Sequence, residues 1–456
     1  MENEKLDLAI QNILNLIEEK KYIKARDELL LHNEVDIAEI IEEIIEKLGI
    51  DKAIALYRTL PKDISVEVFA YLPIDDQLRI INSITDKEIV HILDELSFDD
   101  MIDVLEELPA NLVDKILEQS TKEERKQINT FLNYPEGSAG SLMTPDYISL
   151  QRQMTVGEAL AHIKAEGMDR ETVYTCYVKD AGRKLIGIVS LRTLVISDTS
   201  ETIENLMHED IIYVNVLDDQ EDVSDLFTRY GFLAMPVVDN EKRLVGIITV
   251  DDILDVIEEE ITEDFQKMAG VAASTEEYLD MGVFKHVRDR LPWLFFLMVS
   301  LMITGLIITR FEALLSQVIV LVAYLPLLMG TGGNSGAQPA SLIIRGLATG
   351  EVTLKDAGKV FWKELRVSLV AGTILSILNF LKIFFIDGEG ILIGLTVSCS
   401  MICIIMFAKV IGGLLPLGAK KAHIDPALMA SPVIASITDM ITVITYFFLA
   451  SLILGI

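Results

Sequence analysis

A single acidic residue stands at the start of the last apolar stretch of the chain. Asp425 lies in the segment AHIDPALMASP (422–432), and beyond it only Asp439 carries a charge. A carboxylate beside a segment that is apolar enough to span a membrane costs free energy unless it contacts water, a cation or a hydrogen-bonding partner. Pro426 suits the first turn of a helix and keeps the residue before it out of helical conformation. We therefore expect Asp425 at a helix entrance, with its carboxylate and carbonyl turned toward a polar path.

A second group of polar residues lies in the glycine-rich segment LPLLMGTGGNSGAQP (325–339). Pro326 removes a backbone hydrogen bond, and the glycines permit unusual dihedral angles and close helix contacts. Irregular backbone at membrane depth is tolerated where it is buried in protein or lines a water-filled cavity. On this interpretation Asn334 and Gln338 line a pore. The alternative is an ordinary helix-packing motif with an exposed turn.

Asp439 lies in the middle of the last apolar stretch, in SITDMIT (436–442). An acid at this depth is compatible with a pore role. It is equally compatible with a carboxyl group that is hydrogen-bonded to a neighbouring serine or threonine at a helix interface.

The elements that must position these residues form two halves of opposite charge. The 456-residue chain has a net charge of −31. Residues 285–456 contain 13 Lys/Arg and 9 Asp/Glu, so residues 1–284 carry a net charge of −35. The acidic half will repel nucleic acid and attract cations. The three cysteines fit no disulfide or zinc spacing, and the N-terminus lacks the pattern of a signal peptide.

Residues 285–456 contain five apolar stretches of roughly membrane-spanning length. We place them near Leu291–Thr309, Leu314–Met329, Val367–Ile386, Ile391–Leu415 and Pro426–Ile456. Lysine and arginine concentrate before the first stretch, between the second and third, and between the fourth and fifth. The positive-inside rule then places the N-terminal half and both basic loops in the cytoplasm, and the C-terminus outside.

The first part of the acidic half is predicted to be entirely helical. Apolar residues recur at spacings of three and four throughout residues 1–131. Leu72–Asp76 and Leu96–Asp100 form a weak repeat that suggests stacked helical hairpins. Asp99 and Asp103 lie one turn apart on one helix face. Helix capping explains the first acids of each helix, and a shared cation is the alternative for this pair.

Two further segments, 137–200 and 201–260, repeat each other. The residues Arg183–Arg192 (RKLIGIVSLR) correspond to Lys242–Asp251 (KRLVGIITVD), with a predicted helix and a short strand before each. This pattern resembles a tandem pair of CBS domains.

CBS pairs often bind adenosine ligands through a Gly-x-x-Ser/Thr-x-x-Asp pattern, which the second copy matches from Gly246 to Asp252. The first copy has Thr193 in place of the acid that would hold a ribose. We therefore expect ATP to bind weakly or not at all.

An acidic segment connects the repeats to the first apolar stretch and is predicted to form one helix from Asp252 to about Tyr278. Like charges at spacings of three and four destabilise a helix. One interpretation is that the segment is a solvated acidic face. The other is that divalent cations neutralise this face and that the helix links a sensor to the membrane. Its acids are Asp252, Asp255, Glu258, Glu259, Glu260, Glu263 and Asp264.

The order of these parts resembles the MgtE family of magnesium channels and transporters over essentially the whole chain. The strongest matches are GTGGNSGAQ with LIIRGLATG, the HIDPALMASP run, and VDDILDVIEEEITED. The fold class implied is multidomain, with an all-α superhelical N-terminal domain, an α/β CBS pair, a connecting "plug" helix and an α-helical transmembrane domain of five spans. The N-terminal domain covers residues 1–131, and the two CBS domains cover 132–200 and 201–251. The plug helix covers 252–284, and the transmembrane domain covers 285–456.

The resemblance also implies a function and its residues. The protein would be a homodimeric Mg²⁺ channel or transporter of the cell membrane, with one pore lined by spans two and five and closed by the plug helix. Asp425 would face its twin across the two-fold axis and hold a hydrated Mg²⁺ ion. Cytosolic Mg²⁺ ligands would be Asp99, Asp103, Asp219, Glu221, Asp252, Asp255, Glu260 and Glu263. At one position where the family has an acidic residue this sequence has Gly231, so that part of the Mg²⁺ sensor is expected to differ.

General chemistry supports this reading over its rivals. Mg²⁺ keeps most of its waters and is held by one or two carboxylates, so a carboxylate pair can bind the hydrated ion and release it. A transporter of another divalent cation, such as Co²⁺ or Ni²⁺, is the alternative, and oxygen-only ligands argue against softer metals. An enzyme is disfavoured because no His-Glu-x-x-His motif occurs and no Ser-His pair appears in the spans. A chloride channel with CBS domains would need many more spans.

Overall fold

A computed structural model describes residues 2–274, 278–279 and 281–455. The chain divides into two compact units, residues 1–257 and residues 258–456. Each unit is described by itself below.

The first unit begins with the helical region predicted from the sequence. Residues 2–131 form helices and short turns, and local caps start several helices. The Asn33 side chain accepts a hydrogen bond from the Asp36 amide at 2.8 Å, and Thr121 with Glu124 forms a capping box. The helices are α1 (Glu2–Glu18), α2 (Tyr22–Leu29), α3 (Glu34–Leu48), α4 (Ile50–Tyr57), α5 (Lys62–Ala70), α6 (Ile74–Ile81), α7 (Asp86–Glu95), α8 (Phe98–Glu107), α9 (Ala110–Gln119) and α10 (Lys122–Phe131).

The weak repeat of the sequence marks the starts of α6 and α8, which contact each other. Pro73 and Ser97 occupy the N-cap positions of these helices. Both helices bury apolar side chains such as Ile80 and Leu105 in one hydrophobic core. The two helices that begin at the repeat therefore pack against each other, whereas stacking of helical hairpins stays a prediction.

The two repeats that follow each form a three-stranded sheet with flanking helices. The strand orders are β1-β2-β3 and β4-β5-β6, and in each sheet the first pair is parallel and the second antiparallel. The elements are β1 (Tyr147–Gln151), α11 (Val156–Glu166), β2 (Thr172–Lys179), β3 (Leu185–Ser190), α12 (Leu191–Ile196), α13 (Ile203–Leu206), β4 (Val214–Asn215), α14 (Gln220–Tyr230), β5 (Ala234–Val238), β6 (Leu244–Thr249) and α15 (Val250–Ala269).

The repeats exchange the segments that precede their first strands. Thr144, which precedes β1 of the first repeat, exchanges two backbone hydrogen bonds with Ile247 in β6 at 2.8 and 2.9 Å. His208, which precedes β4, exchanges two with Ile188 in β3 at 2.9 and 3.0 Å. Each repeat thus completes its hydrogen bonding with a segment from the other side of the pair.

The plug helix is shorter than predicted. It was expected to reach Tyr278, but α15 ends at Ala269 and that boundary prediction is wrong. Gly270 follows with φ +73°, a left-handed conformation that ends helices and favours glycine. The predicted segment 252–284 also includes residues 275–277 and 280, which lie outside the described residues.

The second unit contains, among the described residues, five helices long and apolar enough to cross a membrane. This confirms the predicted number of spans. The spans cover Val283–Arg310, Ile319–Ala348, Leu354–Phe385, Ile391–Lys421 and Pro426–Leu454. The α-helices here are α16 (Val283–Arg310), α17 (Glu312–Gln317), α18 (Leu325–Ala348), α19 (Ala357–Phe385), α20 (Ile391–Lys421) and α21 (Ser431–Leu454), with short 3-10 turns before α18, α19 and α21.

The second span differs most from the prediction. It was placed at Leu314–Met329 with irregular backbone after it, but the glycine-rich segment is part of the continuous helix α18. A Cβ added to Gly336 would lie 3.1 Å from the backbone oxygen of Ala408. A Cβ added to Gly332 would lie 2.8 Å from Thr442 Oγ1. The glycines therefore serve close packing of α18 against α20 and α21, which was the alternative left open.

Candidate ion site and acidic clusters

Asp425 occupies the predicted helix entrance. It follows the end of α20 and caps the 3-10 turn Pro426–Met429, where its Oδ1 accepts a hydrogen bond from the Ala427 amide at 2.8 Å. The other oxygen, Oδ2, lies 2.8 Å from the Nζ atom of Lys267. About a third of the Asp425 side chain remains exposed, at 31%. One oxygen of this carboxylate is thus used for structure, and the other binds a cationic group.

Lys267 comes from the last turn of α15. Its ammonium group also pairs with Glu263, one turn earlier on the same helix. Burial alone would lower the pKa of Lys267, but hydrogen bonds to Asp425 and Glu263 outweigh it and raise the pKa above the usual value. Burial and the nearby charge of Asp425 raise the pKa of Asp264. The end of α15 is therefore an ion-pair network built around one lysine.

Three contacts hold the end of α15 within the second unit. A Cβ added to Gly270 would lie 3.3 Å from Pro432 in α21 and 3.7 Å from Trp293 in α16. The Gln266 side chain bonds the backbone of Ser274 through both its amide oxygen and its amide nitrogen, at 2.7 and 2.9 Å. These contacts place Lys267 beside the entrance of α21 rather than in open solvent.

The predicted pore-side residues Asn334 and Gln338 lie one turn apart on α18, and both are exposed in the single chain. The Oε1 atom of Gln338 accepts a hydrogen bond from Lys409 Nζ at 3.0 Å. Lys409 was not among the residues predicted from the sequence, although a single lysine in a long apolar run is itself a signal of function.

Asp439 lies partly buried in α21. The hydroxyl of its neighbour Thr438 donates to the carbonyl oxygens of Ile434 and Ala435, at 2.8 and 3.0 Å, rather than to the carboxylate. Thr438 is therefore not the hydroxyl partner considered from the sequence.

An acidic cluster, defined here as Asp99, Glu171 and Asp252, lies in the first unit, where Asp99 is buried, Asp252 is partly buried and Glu171 is exposed. Asp99 starts α8 and is only 9% exposed, and its Oδ1 atom is buried without a hydrogen-bond partner among the described residues. Asp252 lies in the first turn of α15 and accepts a hydrogen bond from Thr249 at 2.6 Å. Glu171 stands just before β2.

The electrostatics of this cluster favour a positive ligand. Burial, followed by the charge of Asp99, raises the pKa of Asp252 to about 8. Burial raises the pKa of Asp99 to about 6. Burial and the charge of Asp99 raise the pKa of Glu171 to about 7. Glu171 was not predicted, because its approach to the other two depends on how separate elements pack.

The remaining predicted ligands do not form one site. Asp219 caps α14 and accepts a hydrogen bond from the Glu221 amide at 2.9 Å. Asp103 and Asp255 are exposed on α8 and α15, and Glu260 is partly buried on α15. Within the part of the chain that the structure describes, no three His, Cys, Asp or Glu side chains converge as a ready-made metal site. Mg²⁺ needs only one or two carboxylates and keeps several waters, so paired acids such as Asp99 and Asp252 fit its chemistry.

The nucleotide pattern differs between the two repeats as the sequence indicated. In the second repeat Thr249 bonds Asp252, whereas at the same place in the first repeat Ser190 and Thr193 hydroxyls lie 2.8 Å apart. The carboxylate is therefore missing from the first copy, and weak ATP binding remains a prediction. Gly231, where a family acid was expected, ends α14 with φ +66°, a conformation that favours glycine.

Models of three protein families match about three quarters of the chain. A model described as MgtE, divalent cation transporter, matches residues 325–449. The MgtE intracellular N domain matches residues 32–137, and the CBS domain matches 139–197 and 203–259.

Curated relatives match about three quarters of the chain. The magnesium transporter MgtE of Thermus thermophilus is 39% identical over 330 residues, which cover 72% of this chain and 73% of that protein. The magnesium transporter MgtE of Bacillus subtilis is 33% identical over 335 residues, which cover 74% of each.

Two solved structures each match a little over half of the chain. One is the soluble part of a magnesium transporter, 29% identical, with a TM-score of 0.50, covering 56% of this chain and 99% of that one. The other is the cytosolic domain of the Mg²⁺ channel MgtE in complex with ATP, 32% identical, with a TM-score of 0.50, covering 54% and 99%. Together with the five candidate spans, these matches show that the chain is a multi-pass membrane protein and belongs to the MgtE family of divalent cation transporters.

Proposed function

We propose that this protein carries Mg²⁺ across the cell membrane and that cytosolic Mg²⁺ closes its path. Asp425 is the acid that binds the permeating ion, and two chains form the path around a two-fold axis, so that two such carboxylates face one hydrated ion. The relatives named as magnesium transporters support the choice of ion. The distribution of Lys and Arg supports cytoplasmic N-terminal domains and a C-terminus outside.

The observation that carries this proposal is the contact between Lys267 and Asp425. A carboxylate at the head of an apolar helix, with one oxygen 2.8 Å from an ammonium group, is a cation-binding site occupied by a side chain. While Lys267 remains there, a permeating ion must compete with it for Asp425. This arrangement corresponds to a closed path.

The acidic cluster supports closure by cytosolic Mg²⁺. Asp99, Glu171 and Asp252 carry raised pKa values, so bringing them together in ionised form costs free energy. A divalent cation between Asp99 and Asp252 offsets that cost, and the unpartnered Oδ1 of Asp99 gives it a ligand. Since Asp252 and Lys267 lie on the same helix, α15, an ion at one end stabilises the arrangement of the other.

Flux measurements in liposomes test the proposal. Purified protein is expected to carry Mg²⁺ in preference to Ca²⁺ and Co²⁺, and the flux is expected to fall when millimolar Mg²⁺ is present on the cytoplasmic side. Preferential Co²⁺ or Ni²⁺ flux would favour a transporter of another divalent cation. A flux that does not respond to cytoplasmic Mg²⁺ would contradict the gating mechanism and leave transport intact.

The substitution Lys267→Met tests the closed contact itself. It keeps the length of the side chain and removes the ammonium group, so Mg²⁺ flux at high cytoplasmic Mg²⁺ should rise above that of the unmodified protein. Lys285→Met, on a residue also near the start of the membrane half, is the control and should leave the Mg²⁺ response unchanged. Equal inhibition of the Lys267→Met and unmodified proteins would refute the role of this contact.

A further inference from the structure

A buried cation lies inside the membrane half, away from Asp425. Lys409 sits in α20 and is only 6% exposed. Its Nζ atom donates a hydrogen bond to Oε1 of Gln338 on α18 at 3.0 Å. A buried charge in a membrane domain is costly and is retained where it has a function or a partner.

The position of Lys409 is set by the backbones around it. At Gly412, one turn further along α20, an added Cβ would lie 2.0 Å from the backbone oxygen of Gly336. The two helices therefore touch backbone to backbone, two residues before Gln338 on α18. Such a contact leaves little freedom in the distance between Lys409 and Gln338.

A third helix supplies partial charge compensation. Glu364 of α19 interacts electrostatically with Lys409. Its Cγ lies 3.1 Å from where a Cβ of Gly413 would stand, which places Glu364 against the same stretch of α20. Lys409 thus hydrogen-bonds an amide on α18 and lies within electrostatic range of a carboxylate on α19.

We infer that Lys409 is a positioning residue that sets ion selectivity by engaging the carbonyl oxygen of Gln338. This inference rests on the proposed function and on the sequence-based prediction that Asn334 and Gln338 line the permeation path. The amide oxygen of Gln338 is the atom that could replace a water molecule in the shell of a passing cation. Because Lys409 donates to that oxygen and places a positive charge beside it, Gln338 is a weaker ligand for a passing cation than a free amide would be.

The consequence differs between cations. Mg²⁺ gives up its waters reluctantly, so a hydrated Mg²⁺ ion needs no direct ligand from Gln338. Ca²⁺ accepts protein oxygens in flexible geometry and gains from each free carbonyl. Engagement of Oε1 by Lys409 therefore disfavours Ca²⁺ relative to Mg²⁺.

The test compares Ca²⁺ and Mg²⁺ flux in liposomes that contain the full-length protein. Lys409→Met frees the amide oxygen, and the ratio of Ca²⁺ to Mg²⁺ flux should rise severalfold, because the number and field strength of coordinating oxygens set selectivity in a pore. Lys409→Arg keeps a donor and a charge and should restore the ratio of the unmodified protein. Lys359→Met, at a lysine exposed near the start of α19, is the matched control and should not change it.

A second variant separates positioning from simple packing. Lys409→Met combined with Gln338→Leu has no amide oxygen to release, so its flux ratio should stay low. Loss of packing alone would change both variants alike. If Lys409→Met does not fold, Gln338→Asn replaces it, because the shorter amide withdraws from Lys409 and should raise the ratio in the same way.

The outcomes distinguish this inference from the function on which it rests. Unmodified protein that carries no Mg²⁺ would contradict the proposed function. Unmodified protein that carries Mg²⁺, with a flux ratio that neither Lys409→Met nor Gln338→Asn raises, would overturn only the role of Lys409. A rise that persists in the double variant would overturn it as well.

Discussion

At the scale of single residues, Asp425 illustrates how local chemistry and distant contacts combine. Its place at a helix entrance could be predicted, because an Asp-Pro pair before an apolar run constrains only neighbouring residues. Its partner Lys267 could not be predicted, because the two are far apart in the sequence and only the fold brings them together. The same holds for Glu171, whose neighbours Asp99 and Asp252 lie on separate elements.

Replacing Asp425 by alanine should abolish or derange Mg²⁺ permeation while the protein still folds and dimerises. The lost cap on the Ala427 amide costs about 1 kcal/mol of stability, which a membrane domain of this size should tolerate. Asp425→Glu keeps the charge and should be milder. The measurement is Mg²⁺ flux in liposomes together with size-exclusion chromatography, and unmodified flux and selectivity in Asp425→Ala would contradict the assignment.

The acidic cluster should make stability depend on pH when Mg²⁺ is absent. The pKa of Asp99 is about 6 and that of Asp252 about 8, both above the value of 3.8 for an unperturbed aspartate. The folded state therefore binds more protons than the unfolded state between about pH 4 and 8, and stability should fall as pH rises through this window.

Thermal unfolding of the full-length protein between pH 5 and 8.5 measures this dependence. Mg²⁺ binds the ionised carboxylates, so adding it should stabilise the protein most at the upper end of the range. Asp252→Asn should flatten the profile, and Asp222→Asn, on α14, is the control that should not. A profile for Asp252→Asn as steep as that of the unmodified protein would show that the cluster does not titrate in this way.

At the scale of elements, the glycine-rich helix α18 shows what a sequence signal can and cannot distinguish. Glycines in an apolar segment permit both irregular backbone and close helix packing, and only the neighbours decide between them. Here Ala408 and Thr442 approach the glycines directly, so the helix stays regular. The end of α15 is the opposite case. Gly270 is a helix-terminating residue that is visible in the sequence, but the predicted helix extended beyond it.

Gly412→Ala should destabilise the membrane half. Its new Cβ would lie 2.0 Å from the Gly336 oxygen, which forces α18 and α20 apart, at a cost of about 2 kcal/mol or more. Gly418→Ala, on the same helix with nothing within 4 Å of the added Cβ, is the matched control. Thermal unfolding in detergent should separate the two variants, and equal midpoints would show that the helices relax without cost.

At the scale of the whole molecule, the uneven distribution of charge makes the proposed closure sensitive to Mg²⁺. Residues 1–284 carry a net charge of −35, which repels any close approach of acidic parts until cations neutralise it. Switching a two-state gate from mostly open to mostly closed needs about 5 kcal/mol of differential binding. Several weak sites, each with one or two carboxylates, can supply this jointly.

Neutralising Asp255, Glu260 and Glu263 together should leave the protein less inhibited by cytosolic Mg²⁺. Loss of acidic charge reduces the repulsion between acidic parts. Loss of Glu263 also leaves Lys267 to pair with Asp425 alone. Both effects favour closure. Loss of Mg²⁺ ligands opposes closure and grows with ion concentration, whereas surface repulsion is screened over about 8 Å. We expect the ligand effect to dominate at millimolar Mg²⁺.

Two measurements check this expectation. Flux should persist in the triple variant at Mg²⁺ concentrations that close the unmodified protein. Proteolysis near Glu136 and Ser200 should be suppressed by Mg²⁺ in the unmodified protein and suppressed less in the variant. The double variant Asp255→Ala with Glu260→Ala isolates the contribution of Glu263. Closure of the triple variant at the same or lower Mg²⁺ would mean that these acids form only a solvated face.

The exchange of segments between the two repeats has a consequence for how the chain is made. Thr144 finds its partner Ile247 only about 100 residues later in the sequence. At roughly 5–20 residues per second, the ribosome takes on the order of 5–20 s to supply that partner. Until then the first repeat lacks a neighbour for Thr144, and Gly246 is not yet present to cover Met143. The nascent chain should therefore remain open to chaperones until β6 has emerged, and the two repeats should then fold together, just before the first membrane span is made.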